Sequence, residues 1–206
     1  QYIVGWAEFC DLKLAVDERV LIPRPETEEL VQMILAENEQ DKRAVLDIGT
    51  GSGAIALALA QKRKQWDITA SDLSEKALEL AQLNAKTHQL SLNFILSDVF
   101  ENIPGQYDII VSNPPYIAFD ETYEMDQSVI RFEPDSALFA EKQGLAIYQK
   151  IAEAAHQFLK PQGKIYLEIG YKQGQAVKDL FEKAFPAKKV CVHRDIFEKD
   201  RMISVT

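Results

Sequence analysis

Val45-Leu46-Asp47-Ile48-Gly49-Thr50-Gly51-Ser52-Gly53 is the stretch whose reading decides the fold. A short apolar run, Ala44 to Ile48, carries one carboxylate and then breaks into Gly49, Gly51 and Gly53. The segment that follows, Ala54-Ile55-Ala56-Leu57-Ala58-Leu59-Ala60, is apolar on every side and reads as a buried helix. Strand, glycine turn and helix are therefore expected in that order. Glycines let a backbone turn tightly and approach a ligand closely, and a helix start offers unpaired N–H groups to whatever lies in the turn. The loop is expected to hold a nucleotide-like cofactor.

Gly49-x-Gly51-x-x-Ala54 also meets a dinucleotide fingerprint, with Asp72 about 20 residues beyond the last glycine, where a ribose-binding acid belongs. Asp47 favours another ligand. A fixed negative charge at the mouth of the loop repels a pyrophosphate and attracts a cofactor that carries an ammonium and a sulfonium. S-adenosylmethionine is expected in preference to NAD.

Composition sets the outer bounds. With 206 residues, 47% of them hydrophobic, the chain can bury one core and an extension. No apolar run approaches the roughly 18 to 20 residues that cross a bilayer, so a soluble, cytoplasmic protein without a membrane partner is expected. A net charge of −9 suits neither phosphate tracking nor direct nucleic-acid contact. Cys10 and Cys191 stand far apart without a CxxC and read as small apolar residues of a reducing compartment, with no disulfide. His88, His156 and His193 have no metal-ligand spacing, and no metal is expected. Residue 1 is Gln and no signal peptide follows, which suggests a chain cut from something longer.

Taken in order, residues 3 to 22 alternate apolar and polar, with Leu12, Leu14 and Val16 on one face, as a β-hairpin that caps the main domain. In Leu21-Ile22-Pro23-Arg24-Pro25-Glu26-Thr27-Glu28, Pro25 suits the first turn of a helix whose start is acidic, and Leu30, Val31, Ile34 and Leu35 give it a buried face. Arg24, held between two prolines, is either a solvated charge or a positioned one. Residues 1–25 thus read as hairpin extension and linker, and 26–206 as the main domain. Ile68 to Asp72 is a second strand, followed by a helix capped by Ser74 with a Leu73–Leu78 staple and running to about His88. Asn93 to Asp98 is a third strand and Tyr107 to Ser112 a fourth, apolar enough to be covered on both faces. Residues 117 to 141 read as a long ordered loop over the site, Gln143 to Leu159 as a helix stopped by Pro161, and Lys164 to Ile169 as a fifth strand. Gln173 to Phe185 is a helix and the tail forms two strands around Asp195 to Asp200. Alternating strands and helices imply an α/β, doubly wound, mostly parallel sheet. Asp47, Asp72 and Asp98 then fall at the carboxyl ends of successive strands, where such sheets bind ligands, and suit two ribose hydroxyls and an exocyclic amine.

Directly after the fourth strand stand Asn113-Pro114-Pro115-Tyr116. Each proline disfavours the helical region for the residue before it and has no N–H, so the segment is held extended with bare carbonyls. Asn113 Oδ1 and the Pro114 carbonyl can take both hydrogens of a planar NH2 group while the Tyr116 ring lies against its plane. An amide nitrogen shares its lone pair with a π-system and attacks a sulfonium methyl poorly until it is oriented, desolvated and met by acceptors. No strong base is needed, because the proton can leave late.

On these residues the sequence resembles the HemK-type family of protein-(glutamine N5) methyltransferases that modify peptide chain release factors. The resemblance covers nearly the whole chain and includes Leu21 to Glu28, Asp47 to Gly53, Asn113 to Tyr116, Phe132-Glu133-Pro134, Ala137-Leu138 and Glu168-Ile169-Gly170. It implies a Rossmann-like, class I S-adenosylmethionine-dependent methyltransferase with a seven-stranded sheet, acting on a release factor as a monomer. It also implies that Gly49, Thr50, Gly51, Ser52 and Gly53 hold the methionine part of the cofactor, Asp72 the ribose, and Asp98 and Val99 the adenine edge. Asn113 and Pro114, within the set Asn113, Pro114, Pro115 and Tyr116, would hold the glutamine amide. The family often has an aromatic residue where this chain has Val99, and its small N-terminal helical domain would end where this chain begins. That absence should raise KM for the release factor more than it lowers kcat. Two other readings stay open on the residues alone: an amino-methyltransferase acting on adenine of DNA or RNA, which the charge opposes, and a noncatalytic cofactor-binding module.

Overall fold

The computed structural model describes residues 2, 4–39, 41–116 and 144–206. A hairpin of β1 (Trp6–Phe9) and β2 (Leu12–Ala15) leads into α1 (Pro25–Glu37), and then β3 (Ala44–Ile48), α2 (Ala54–Lys62), β4 (Asp67–Asp72), α3 (Glu75–Thr87) and β5 (Asn93–Leu96) follow. After β6 (Tyr107–Ser112) come α4 (Ala146–Phe158), β7 (Leu159–Glu168), α5 (Gly174–Ala184), β8 (Val190–Arg194) and β9 (Asp200–Val205). Seven strands form one sheet in the order β5-β4-β3-β6-β7-β9-β8. β3 to β7 are parallel, and β9 pairs antiparallel with both β7 and β8. This is a Rossmann-like, doubly wound sheet with a small antiparallel hairpin at its N-terminal end.

Alternation along the strands sorts the core into two layers. Val45, Ile109, Val111 and Tyr166 meet α1 and α2 on one face. Their neighbours Leu46, Ile110, Ile165 and Leu167 meet α4 and α5 on the other. Such strands are buried on both sides, which is why β3 and β6 read as nearly unbroken apolar runs.

The hairpin is built into this body. Leu12 and Leu14 join the α1–α2 layer, while Ala7, Val16 and Val20 pack on Ala77 and Leu80 of α3. Its turn residues Cys10 and Asp11 have φ of 48° and 67° without a glycine between them, the left-handed pair a two-residue hairpin loop requires. Cys10 and Cys191 are both half-buried free thiols.

Buried Asn84 on α3 provides a second tie. It accepts from the Ala15 N–H at 2.8 Å and donates to the Ala15 carbonyl at 3.0 Å and the Ser52 carbonyl at 2.9 Å, so one amide clamps hairpin, helix and glycine loop. Asn84→Ala leaves the buried Ser52 carbonyl and the half-buried Ala15 N–H and carbonyl without this partner and is expected to lower stability by about 2 kcal/mol, measurable by urea unfolding.

Three sequence expectations are corrected. Leu73 is 68% exposed while Leu78 is buried, so no staple joins them, although Ser74 Oγ does accept from the Ala77 N–H at 3.2 Å. β7 starts at Leu159 rather than Lys164, because residues 160–163 bulge out where the β6 register jumps from Tyr107↔Leu159 to Ile109↔Lys164. That bulge accommodates both Pro161 and Gly163. α4 begins at Ala146, and Gln143 lies outside the described residues. So does the stretch expected as a loop over the site, residues 117 to 141.

Candidate active site

Successive crossovers run from β3 toward β5 on one side and from β6 toward β8 on the other, so the sheet switches direction between β3 and β6. Ile48 and Ser112 are paired there, with Ser112 Oγ donating to the Ile48 carbonyl at 2.7 Å. Gly49 and Asn113 therefore leave the sheet side by side. A cavity of about 260 Å³ opens between them. Its walls are the glycine loop, the ends of β4, β5 and β6, Ile147 of α4, and the Arg19 to Thr27 linker.

The glycine loop is shaped from beneath. The N–H groups of Gly49 and Thr50 both donate to the Ser71 carbonyl at 2.9 Å, and the Gly51 N–H donates to Asp72 Oδ2 at 2.9 Å. Those three amides face the end of β4 and are not aimed outward, contrary to the simplest reading of a glycine turn. Asp72 Oδ1 also accepts from the Ser74 N–H at 2.9 Å, so this acid ties loop to strand. Burial raises its pKa despite those backbone bonds. Gly49, Gly51 and Gly53 have φ of 72°, 55° and 84°. A Cβ on Gly49 or Gly51 would meet nothing within 4 Å, whereas one on Gly53 would sit 3.0 Å from Leu57 Cδ1. Gly53→Ala combines left-handed strain with that contact and is expected to cost about 2 kcal/mol in urea unfolding, with cofactor affinity falling in parallel.

Under the loop, Asp47 is 1% exposed and its Oδ2 accepts from Thr50 Oγ1 at 2.7 Å. Its Oδ1 has no hydrogen-bond partner among the described residues. Burial pushes this carboxyl up to about 7, against the pull of the Thr50 hydroxyl and the nearby Ala56 amide and with a small push from Asp72.

At the end of β5, Asp98 Oδ2 pairs with Lys150 Nζ of α4 at 2.7 Å, and Val99 lines the cavity with φ of 50°. A β-branched residue there is strained, and Ser97 Oγ holds the turn by donating to the Val99 carbonyl at 3.2 Å while accepting from the Asn102 N–H at 3.1 Å. Phe100 faces away from the cavity and stacks on Phe158, rings 4.5 Å apart. The aromatic next to this acid thus serves the core, and Val99 forms the wall.

Across the cavity, Asn113, Pro114 and Pro115 line one side. Asn113 Nδ2 donates to Thr27 Oγ1 at 3.2 Å, and Thr27 Oγ1 donates to Glu168 Oε2 at 2.6 Å. Tyr116 is turned away from the cavity, its carbonyl accepting from Gln173 Nε2 at 2.8 Å and its ring beside Gly170. Burial pushes the Tyr116 phenol up to about 12. Neither Glu168 nor Tyr116 forms part of the cavity wall.

Comparison with known proteins identifies the family. Residues 26–134 match the methyltransferase small domain family. The release factor glutamine methyltransferase of Lactococcus lactis subsp. lactis is 70% identical over all of this chain and 76% of its own length. This chain is a release factor glutamine methyltransferase family member. That of Streptococcus pneumoniae is 57% identical over 100% of the chain and 74% of its own length. The chain therefore spans about three quarters of these relatives. Among solved structures, a methyltransferase from Pyrococcus furiosus superposes with a TM-score of 0.71 over 94% of this chain and 88% of its own, at 19% identity, which speaks to fold alone.

S-adenosylmethionine is the cofactor of this methyltransferase, and the residues present fit it. Gly49 and Gly51 leave open the space a side chain would fill, and Asp47 offers a buried carboxylate oxygen without a donor, which suits a cationic group and not a pyrophosphate. Of the residues sequence reasoning named, Gly49 to Ser52, Asp72, Asp98, Val99 and residues 113 to 115 line one cavity, whereas Asp47 and Gly53 lie behind the loop and do not reach its wall. Sequence reasoning missed Thr27, Arg19 and Val20, which also line the cavity, because their contribution depends on how the linker folds back. Arg24, left undecided on sequence, caps α1 and faces the same cavity.

Proposed function

We propose that this methyltransferase transfers the S-adenosylmethionine methyl group to the side-chain amide nitrogen of a glutamine in a peptide chain release factor, using Asn113 and Pro114 as the amide clamp. The observation that carries this reading is that Asn113-Pro114-Pro115 and the glycine loop, which leave adjacent strands, line the same cavity. Residues 26–206 form the catalytic domain, with 1–25 as its hairpin extension and linker.

S-adenosylmethionine, when bound, supplies the electrophilic methyl group. Asp47, from beneath the loop, would attract the cationic amino-acid end, Gly49 and Gly51 would make room for it with Gly53 shaping the turn, Asp72 would accept from the ribose, and Asp98 and Val99 would border the base. Asn113 Oδ1 and the Pro114 carbonyl accept the two amide hydrogens and turn the nitrogen toward the cofactor. Pro115 stiffens the segment, and Tyr116 closes its outer edge. As the nitrogen gains positive charge, both acceptors strengthen, and a proton leaves to water. Desolvation by the aliphatic walls favours the attack.

A monomer acting in the cytoplasm is the state this reading favours, without direct nucleic-acid contact. No helix among the described residues is long and apolar enough to cross a membrane, and the net charge of −9 disfavours phosphate tracking. The test is incubation with purified release factor and methyl-labelled S-adenosylmethionine, followed by peptide mapping. Label on one glutamine side chain is the expected result. Label on adenine of added nucleic acid, with none on protein, would replace this reading with a base amino-methyltransferase.

A further inference from the structure

Two residues behind Asn113 have no part in the chemistry so far. Thr27 lies in the first turn of α1 and is 4% exposed, and Glu168 is the last residue of β7 and is 2% exposed. They meet because α1 packs against β7, the strand beside β6. We infer that Thr27, backed by Glu168, positions the Asn113 carboxamide so that its oxygen, and never its nitrogen, faces the substrate amide. This rests on the functional reading above.

The argument is one of hydrogen-bond polarity. An asparagine side chain has the same outline whichever way its oxygen and nitrogen point, so shape cannot choose its orientation and only the network can. A threonine hydroxyl has one proton. Here that proton goes to Glu168 Oε2 at 2.6 Å, which leaves the Thr27 oxygen an acceptor toward Asn113. Asn113 must then present Nδ2, as it does at 3.2 Å, and Oδ1 is turned to the other side. A flipped amide would set Nδ2 hydrogens against the hydrogens of the substrate amide, and it would leave the Thr27 oxygen opposite another acceptor.

Burial pushes the Glu168 carboxyl up to about 7, and above that pH it is ionised and acceptor-only, which fixes the direction of this chain. Besides Thr27, Arg201 of β9 and the Asn113 side-chain amide, which also reaches the carboxyl, favour its charge, and Glu26 of α1 opposes it. Tyr116, after β6, and Tyr148, on α4, face it as well, and the Tyr148 hydroxyl donates to the Glu168 carbonyl at 2.7 Å. Donation from Nδ2 toward a hydroxyl that itself leans on a carboxylate also polarises the Asn113 amide, drawing electron density onto Oδ1. That gain matters most when the substrate nitrogen becomes positive. It also selects the substrate class: a carboxamide brings two hydrogens to Oδ1 and the Pro114 carbonyl, whereas a carboxylate brings none. Thr27 and Glu168 act through Asn113 and are positioning residues.

The test compares Thr27→Val, which keeps the shape and loses the hydroxyl, with Thr27→Ser, which keeps the hydroxyl and loses a methyl. Thr27→Val is expected to lower kcat about tenfold or more, the scale of a lost neutral hydrogen bond in the transition state, with KM for the release factor and calorimetric affinity for S-adenosylmethionine nearly unchanged. Thr27→Ser is expected to recover most of that rate. A second measurement needs no variant at this position. In ¹⁵N-labelled wild-type protein, one Asn113 Nδ2 proton, assigned by its absence in Asn113→Ala, should be slow to exchange and shifted by its bond to Thr27. A wild-type Asn113 amide with free-exchanging, unshifted protons overturns the inference even if Thr27→Val fails to fold. Equal kcat in folded Thr27→Val and wild type overturns it too, as does an equal fall in Val and Ser. A wild-type protein that transfers no methyl group to release factor removes the functional reading instead, and the Asn113 amide signals then decide the orientation on their own.

Discussion

Asn113→Ala is expected to reduce kcat by about 10² to 10³-fold, the loss typical of a preorganised transition-state partner, while S-adenosylmethionine binding survives. Pro114 and Pro115 fix the backbone independently of the side chain at 113, so the Pro114 carbonyl stays in place and only one of two acceptors is removed. The missing acceptor is worth more to a nitrogen gaining positive charge than to a neutral amide, which places the effect in kcat rather than KM. Asn113→Asp should fall between Ala and wild type. It keeps an acceptor toward the substrate but gives up the donation to Thr27 and sets a second carboxylate beside Glu168. Single-turnover methyl transfer to release factor separates the three proteins, and full kcat in the Ala variant would refute the clamp.

The second large effect concerns pH. Asp47 sits at about 7 in the folded protein against an ordinary 3.8, mainly through burial, with the Thr50 hydroxyl and Ala56 amide opposing and Asp72 adding to the rise. A bound ammonium group would favour the ionised form and pull that value down, so binding below pH 7 must release a proton. Affinity for S-adenosylmethionine should therefore weaken by up to about tenfold per unit as pH falls from 7, and level off above it. Asp47→Asn should bind more weakly at pH 8, by about 10-fold or more for a lost charged hydrogen bond, and lose the slope between pH 6 and 8. Titration calorimetry over that range checks both statements; a wild-type affinity that is flat from pH 6 to 8 counts against Asp47 as the ammonium partner. Without ligand the same raised value carries the opposite sign for stability. The Asp47 contribution is fully present below the unfolded pKa, near pH 4, and is lost as pH rises to and through 7, because between those values only the unfolded chain ionises.

Most of the sheet was legible because its strands are short, apolar and separated by punctuated helices. β6 falls on Tyr107 to Ser112 as expected, and Ala54 to Ala60 are all buried in α2. The cavity was legible for a related reason: glycine turns and acids at strand ends lie next to one another in both sequence and space. What sequence could not supply was long-range. The Glu168–Thr27–Asn113 chain joins residues from three separate elements, and each polar side chain alone has an ordinary surface explanation. Lys150 gave no sign that it would pair with Asp98, and Leu73 satisfied a local staple pattern that the fold overrides by turning it to solvent. Phe100 shows the same limit, since its ring could have stacked on a base but found Phe158 instead.

Asn84 holds the Ala15 backbone with both ends of its amide and the Ser52 carbonyl with the same nitrogen. In the language of local unfolding, the hairpin has no cheap private opening: lifting Ala15 from Asn84 also loosens the grip on the glycine loop, so the two segments share one opening reaction. Ligand energy delivered at Gly49 to Gly53 should then appear as slower amide exchange at Ala15, far along the chain and outside the cavity. A strand that looks like an ornament on the sheet becomes a reporter of whether the cofactor is home.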